Sequence, residues 1–148
     1  MDNINDILEF AINREQEAAD FYADLAERAR FESLKEVLKQ FEQEELGHKK
    51  KLQEISTGAQ GVPSLTQIED LKIADYTVPV QLQDNMSYQD ILIVAMKREK
   101  AAYRLYNDLA DRTTDAEVKK IFLVLAQEEA KHKLRFETEY DSEIMSEN

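Results

Sequence analysis

Shifted by 84 residues, the sequence lies over itself without a gap. Asp6-Ile7-Leu8 falls on Asp90-Ile91-Leu92, Arg14-Glu15 on Arg98-Glu99, Ala18 on Ala102 and Tyr22 on Tyr106. Asp24-Leu25-Ala26 falls on Asp108-Leu109-Ala110, Gln43-Glu44-Glu45 on Gln127-Glu128-Glu129, and His48-Lys49 on His132-Lys133. Both histidines of the chain are therefore one position used twice. Any fold for this sequence has to build the same element in each half.

That element is helical. Ala, Leu, Glu, Lys, Gln and Arg dominate each half, and these are the strongest helix formers. The chain of 148 residues has three glycines and two prolines. Gly58, Gly61, Pro63 and Pro79 all fall in one stretch, 56–86, which reads as a connection with a short helical turn near Leu65 to Leu71. Each half then reads as two long helices joined by a tight turn: Ile4 to Ala29 with Ser33 to Ile55, and Tyr88 to Arg112 with Asp115 to Tyr140. Ser87 with Asp90 and Thr114 with Glu117 have the spacing of a capping hydroxyl answered by an acid three residues on, and Asn3 with Asp6 is the weaker counterpart. The expected fold is all-α, an antiparallel four-helix bundle made of two repeated hairpins, 4–55 and 88–140, with a long crossover between the second and third helices. The length suits a single domain over 1–148.

Alternating steps of four and three pick out the inward face of each helix. The first gives Leu8, Ala11, Glu15, Ala18, Tyr22 and Leu25; the second Leu34, Leu38, Phe41, Glu45, His48 and Leu52. The third gives Leu92, Ala95, Glu99, Ala102, Tyr106 and Leu109; the fourth Val118, Phe122, Leu125, Glu129, His132 and Phe136. Every stripe is apolar except near its middle, where an acid sits. Removing an ionised carboxylate from water costs several kcal/mol unless something compensates. Four of them would rival the ~5–15 kcal/mol net stability of a domain. The stripes contain no arginine or lysine, and four neighbouring protonated acids would be an odd construction. Two divalent cations neutralise four carboxylates, and two imidazoles complete the shells without adding charge.

Helix geometry makes the same expectation. Glu15 and Glu45 are about equally far from the turn near Arg30, and Glu99 and Glu129 from Thr114, so antiparallel helices bring each pair to one height. His48 and His132, three residues after an acid, share its face. One Glu-x-x-His in a Glu-rich chain is a weak signal. Two copies at one repeat position, each matched to a stripe-centre Glu one helix earlier, are a strong one, and they match the ligand pattern of ferritin-like di-metal bundles.

On Glu15 through Phe21-Tyr22, Glu44-Glu45-Leu46-Gly47-His48, Glu99 through Leu105-Tyr106, and Glu128-Glu129-Ala130-Lys131-His132, the sequence resembles the ferritin-like di-iron family, in its rubrerythrin-like branch. The likeness covers nearly the whole chain apart from the connection. It implies that Glu15 and Glu99 are terminal ligands, that Glu45 and Glu129 bridge two iron ions, and that His48 and His132 each cap one. It also implies peroxide or dioxygen reduction with electrons from a separate donor protein. Two departures stand out. The chain has no cysteine, so it cannot build the rubredoxin-type iron site of rubrerythrins proper. The family's extra acid on the third helix is here Ala102. Peroxide reduction thus follows less directly than metal binding.

Tyr22 and Tyr106, two turns after Glu15 and Glu99, are expected to orient a carboxylate through their hydroxyls; packing is the alternative. Glu44 and Glu128 turn about 100° away and are expected in solvent. Gly47 invites a close helix approach, and Tyr103, in place of Ala19, is either packing or a source of inequivalence between the two metals. A net charge of −12 argues against nucleic acid and anionic membranes. No apolar run reaches the length of a membrane span, and Met1 to Asp6 lacks a signal-peptide pattern, so a cytoplasmic protein is expected.

Expected partners are a small oxidant, the electron donor and a second copy of the chain. Two further functions stay open: iron handling by ferroxidation or storage, and a non-enzymatic helical interaction module. Oxygen and imidazole donors also suit manganese or zinc, so iron rests on the resemblance.

Overall fold

The computed structural model describes residues 3–58, 71–78 and 85–147. Four long helices carry them: α1 (Ile4–Glu27), α2 (Glu32–Thr57), α3 (Tyr88–Arg112) and α4 (Ala116–Glu147). The chain divides into two compact units, one ending at Ile73 and the other beginning at Ala74. In the first, α1 packs on α2; in the second, α3 packs on α4.

The helices begin where short polar side chains meet the backbone. Asn3 Oδ1 accepts from the Asp6 amide at 2.8 Å, and Ser87 Oγ accepts from the Asp90 amide at 3.1 Å. At α4 the capping residue differs from the expected Thr114. Asp115 Oδ1 accepts from the amides of Glu117 and Val118 at 2.9 and 3.2 Å. A carboxylate answers two orphan amides and the positive end of the helix dipole at once, which a hydroxyl does less well.

The helix ends also move. α1 stops at Glu27 rather than Ala29, because the amides of Arg28 and Ala29 bond to Leu25 and Ala26 and tighten the last turn. α2 gains a residue at its start and runs on to Thr57. It stops before Gly58, where a side chain's Cβ would come within 2.8 Å of the Glu54 carbonyl oxygen. α4 continues seven residues past the expected Tyr140, since 141–147 contains neither glycine nor proline and Glu143 is buried.

Of the connection, the helical turn expected near Leu65 lies outside the described residues, except for Leu71, which is buried. A single turn of 3-10 helix spans Ile73–Tyr76. It ends on a buried tyrosine whose hydroxyl donates to Asp108 Oδ2 of α3 at 2.5 Å, with the Arg104 guanidinium 5.8 Å above the ring. Burial first, then the hydrogen bond and charge of Asp108, push the Tyr76 phenol well above its ordinary pKa; Arg112 and Arg104 pull weakly the other way. The connection is thereby fastened to the second unit.

The inward stripes are where the four-and-three periodicity puts them. Every residue named for α1, α2 and α3 is buried, and on α4 all but Val118, which is half-buried in the first turn. No helix among the described residues is long and apolar enough to cross a membrane.

Candidate metal centre

In the first unit, Glu15 comes from the middle of α1, and Glu45 and His48 from one face of α2. Glu15 is about as far from the end of α1 as Glu45 is from the start of α2, so the antiparallel pair sets them level. In the second unit, Glu99 of α3 meets Glu129 and His132 of α4 in the same way. Glu15, Glu45, Glu99 and Glu129 are wholly buried, and His48 and His132 nearly so. Within each cluster, one possible ligand atom from each residue lies within 4.8 Å of the others.

The imidazoles face the acids. His48 Nδ1 is 3.5 Å from Glu15 Oε2 and 3.3 Å from Glu45 Oε1. His132 Nδ1 is 3.7 Å from Glu99 Oε2 and 3.6 Å from Glu129 Oε1. These gaps exceed the ~2.9 Å of an ordinary N–H···O bond. They suit donors gathered about a common point: bonds of about 2.0–2.2 Å to one ion place neighbouring donors roughly 3–3.4 Å apart. The donor set of two carboxylates and an imidazole, with no sulfur, fits a hard or borderline divalent cation. By donor chemistry and spacing, the residues present fit a metal in each cluster.

One cation was missed by reading only the inward stripes. Arg14 is buried beside the first cluster, its Nη1 2.9 Å from Glu15 Oε1 and 3.6 Å from Glu45 Oε2. So Glu15 and Glu45 do not depend on metal alone, although the inward stripes themselves contain no arginine or lysine. The signal was present: Arg14-Glu15 repeats as Arg98-Glu99, and a residue adjacent to an inward position can fold its long side chain back along the helix. Arg98 itself is half-buried.

A second basic group ties the first unit together. Lys49, next to His48, donates to Gln16 Oε1, next to Glu15, at 2.8 Å across the α1–α2 interface. Lys133, its counterpart, pairs instead with Glu137 of its own helix at 3.0 Å.

Tyr22 and Tyr106 are both buried. The Tyr22 ring meets Phe41 edge-on, with centroids 5.8 Å apart, and the Tyr106 ring stacks on Phe122 at 6.5 Å. Glu44 and Glu128, expected in solvent, are half-buried, and Glu44 accepts from Gln40 on the same helix. Gly47 is exposed, and a Cβ there would meet nothing within 4 Å, so no close helix approach requires it and nothing in the structure explains it. Tyr103 is exposed where Ala19 is buried, so its ring is not part of the packing around the second cluster.

The family model described as Rubrerythrin matches residues 6–140. Among solved structures, a hypothetical protein from Pyrococcus furiosus is similar over 94% of this chain and 89% of its own, at 25% identity and a TM-score of 0.71. No curated protein matches. The structural likeness carries the fold class expected from the sequence: all-α, a four-helix bundle of two hairpins with a long connection between α2 and α3.

Proposed function

The chain belongs to the rubrerythrin family, and from that premise we propose that it is a di-iron carboxylate oxidoreductase reducing hydrogen peroxide or dioxygen. The observation that carries this reading is the pair of dry, matched Glu/His clusters, one in each hairpin. In it, the two clusters would hold a pair of ions. Following the resemblance, Glu15 and Glu99 would be terminal ligands, Glu45 and Glu129 bridging ones, and His48 and His132 would each give one ion a nitrogen ligand. When bound, two ferrous ions supply the two electrons that turn one peroxide and two protons into two waters.

The protein's own part is placement and exclusion. Buried carboxylates held level by antiparallel helices cannot be satisfied by bulk water, so they favour a cation strongly and keep it away from stray ligands. Tyr22 and Tyr106, buried two turns from Glu15 and Glu99, are suited to orienting those carboxylates through their hydroxyls. Arg14 offsets part of the negative charge on the first cluster and limits how much positive charge that cluster needs. In this reading the electrons come from a separate donor protein. A cysteine-free chain with no membrane-spanning helix among its described residues also suits the cytoplasm.

The test is anaerobic loading with ferrous iron followed by rapid mixing with peroxide. Oxidation of the bound iron within the mixing experiment, complete at one peroxide per ion pair, is the expected result. Slow or absent oxidation would refute peroxide reduction. Oxidation that continues with added ferrous iron well beyond the bound pair would make iron the substrate instead.

A further inference from the structure

The two carboxylates of the first cluster are shared out oxygen by oxygen. His48 Nδ1 faces Glu15 Oε2 and Glu45 Oε1, at 3.5 and 3.3 Å. Arg14 Nη1 faces the other oxygen of each acid, Glu15 Oε1 at 2.9 Å and Glu45 Oε2 at 3.6 Å. One nitrogen of the guanidinium thus reaches both acids, from a side chain that is itself buried between helix and solvent with 9% of its surface exposed. The acids are wholly buried. Charges this dry are poorly screened, so a guanidinium and an ion drawn to the same two carboxylates act strongly on each other.

We propose that Arg14 competes with the bound ion for Glu15 and Glu45, and so weakens the first cluster's hold on a cation the more highly that cation is charged. The inference rests on the reading that the cluster binds metal, and it adds which charge of ion the cluster prefers. In metal-free protein the guanidinium supplies part of the positive charge that the acids need. An entering ion then gains less from them than from two unshared carboxylates, and it meets a fixed positive charge beside them. Both effects grow with the charge of the ion, because Coulomb energy is proportional to it. By reciprocity, a bound ion loosens the guanidinium's hold on the acids by the same factor. Arg14 is in this sense a specificity-determining residue. It biases the first cluster toward the lower-charged state of a metal, which for a redox-active metal is the reduced one. An arginine that only held the two acids in place would do the opposite, since its removal would loosen the ligands and weaken every ion.

The apolar stripes of α1 and α2 and the Lys49–Gln16 bond join the two helices without Arg14, so neutral variants are expected to keep the hairpin folded. The test compares full-length wild type with Arg14→Met and Arg14→Gln, the second retaining a hydrogen-bond donor should the first fail to fold without metal. Manganese(II) is the divalent probe, its free concentration read by electron paramagnetic resonance; gallium(III) in a nitrilotriacetate buffer is the redox-inert trivalent one. Removing the charge is expected to lower the half-saturating manganese concentration by about tenfold or more. The gallium concentration is expected to fall by a larger factor. Lys50→Met, which removes an exposed charge of the same sign from α2, is expected to change neither. Manganese binding that both Arg14 variants leave unchanged or weaken would overturn the proposal alone. So would equal gains for the two ions, or a Lys50→Met gain as large as that of Arg14→Met. Manganese bound by none of the proteins would overturn the metal reading with it.

Discussion

The two hairpins each carry three candidate ligands at matching positions, yet they brace them differently. The first holds a buried guanidinium against both of its acids and ties α2 to α1 by the Lys49–Gln16 bond. Its imidazole lies 3.3 and 3.5 Å from the carboxylates. In the second the matching arginine keeps part of its surface in solvent, the matching lysine bonds along its own helix, and the imidazole stands back at 3.6 and 3.7 Å. The aromatic packing is exchanged as well. Leu38 and Phe41 of α2 become Phe122 and Leu125 of α4, so the large ring moves one turn and Tyr106 is stacked where Tyr22 is met edge-on. Duplication thus preserved the donor atoms and the volume but not the local electrostatics. In the first hairpin a buried guanidinium offsets part of the charge of both acids.

The sharpest way to break this contrast is to remove that cation. Arg14→Met leaves two buried carboxylates without their arginine, and breaking such a pair costs about 3–5 kcal/mol. The full loss is expected in metal-free protein and a much smaller one in metal-loaded protein, by urea unfolding of each form. Arg98→Met, at the more exposed position, is expected to cost less than Arg14→Met in the metal-free form. Equal costs for the two variants would erase the distinction between the hairpins.

A smaller effect separates the second unit by its tether. The raised Tyr76 pKa means that the Asp108 contact stabilises the fold below the ordinary tyrosine pKa and loses that contribution as pH rises through the folded value. Tyr76→Phe is therefore expected to cost roughly 1–2 kcal/mol near neutral pH. The gap to wild type is expected to narrow above pH ~10. Urea midpoints of both proteins across that range check the sign, and a gap that widens with pH would contradict it.

The smallest effect belongs to Gly47, which has no counterpart glycine in α4. With open space around it, Gly47→Ala is expected to gain about 0.5–1 kcal/mol. A loss on thermal melting would show that the first hairpin needs backbone freedom there.

Much of this was legible in the sequence, for a physical reason. Burial repeats with the turn of the helix, so Glu15, Glu45, His48, Glu99, Glu129 and His132 declared themselves as polar interruptions of apolar stripes. The stripe rule fails for long side chains. Arg14 is off the inward line by one residue, and only its reach brings it to Glu15, so periodicity passed over it. The choice of Asp115 over Thr114 as the cap was hidden because both have suitable chemistry and lie side by side. The extra length of α4 was hidden because nothing in 141–147 forms or breaks a helix decisively. The anchoring of Tyr76 on Asp108 could not be read at all, since no local pattern links a connection to the helix face it meets.

The central claim is that the two Glu/His clusters hold a pair of metal ions. It is tested most directly by elemental analysis of the protein purified without added metal, together with His48→Ala and His132→Ala. About two ions per chain are expected for the wild type, the number that the ferritin-like ligand pattern holds, with a marked fall in each variant. A wild type with no bound metal, or two variants that retain all of it, would contradict the claim.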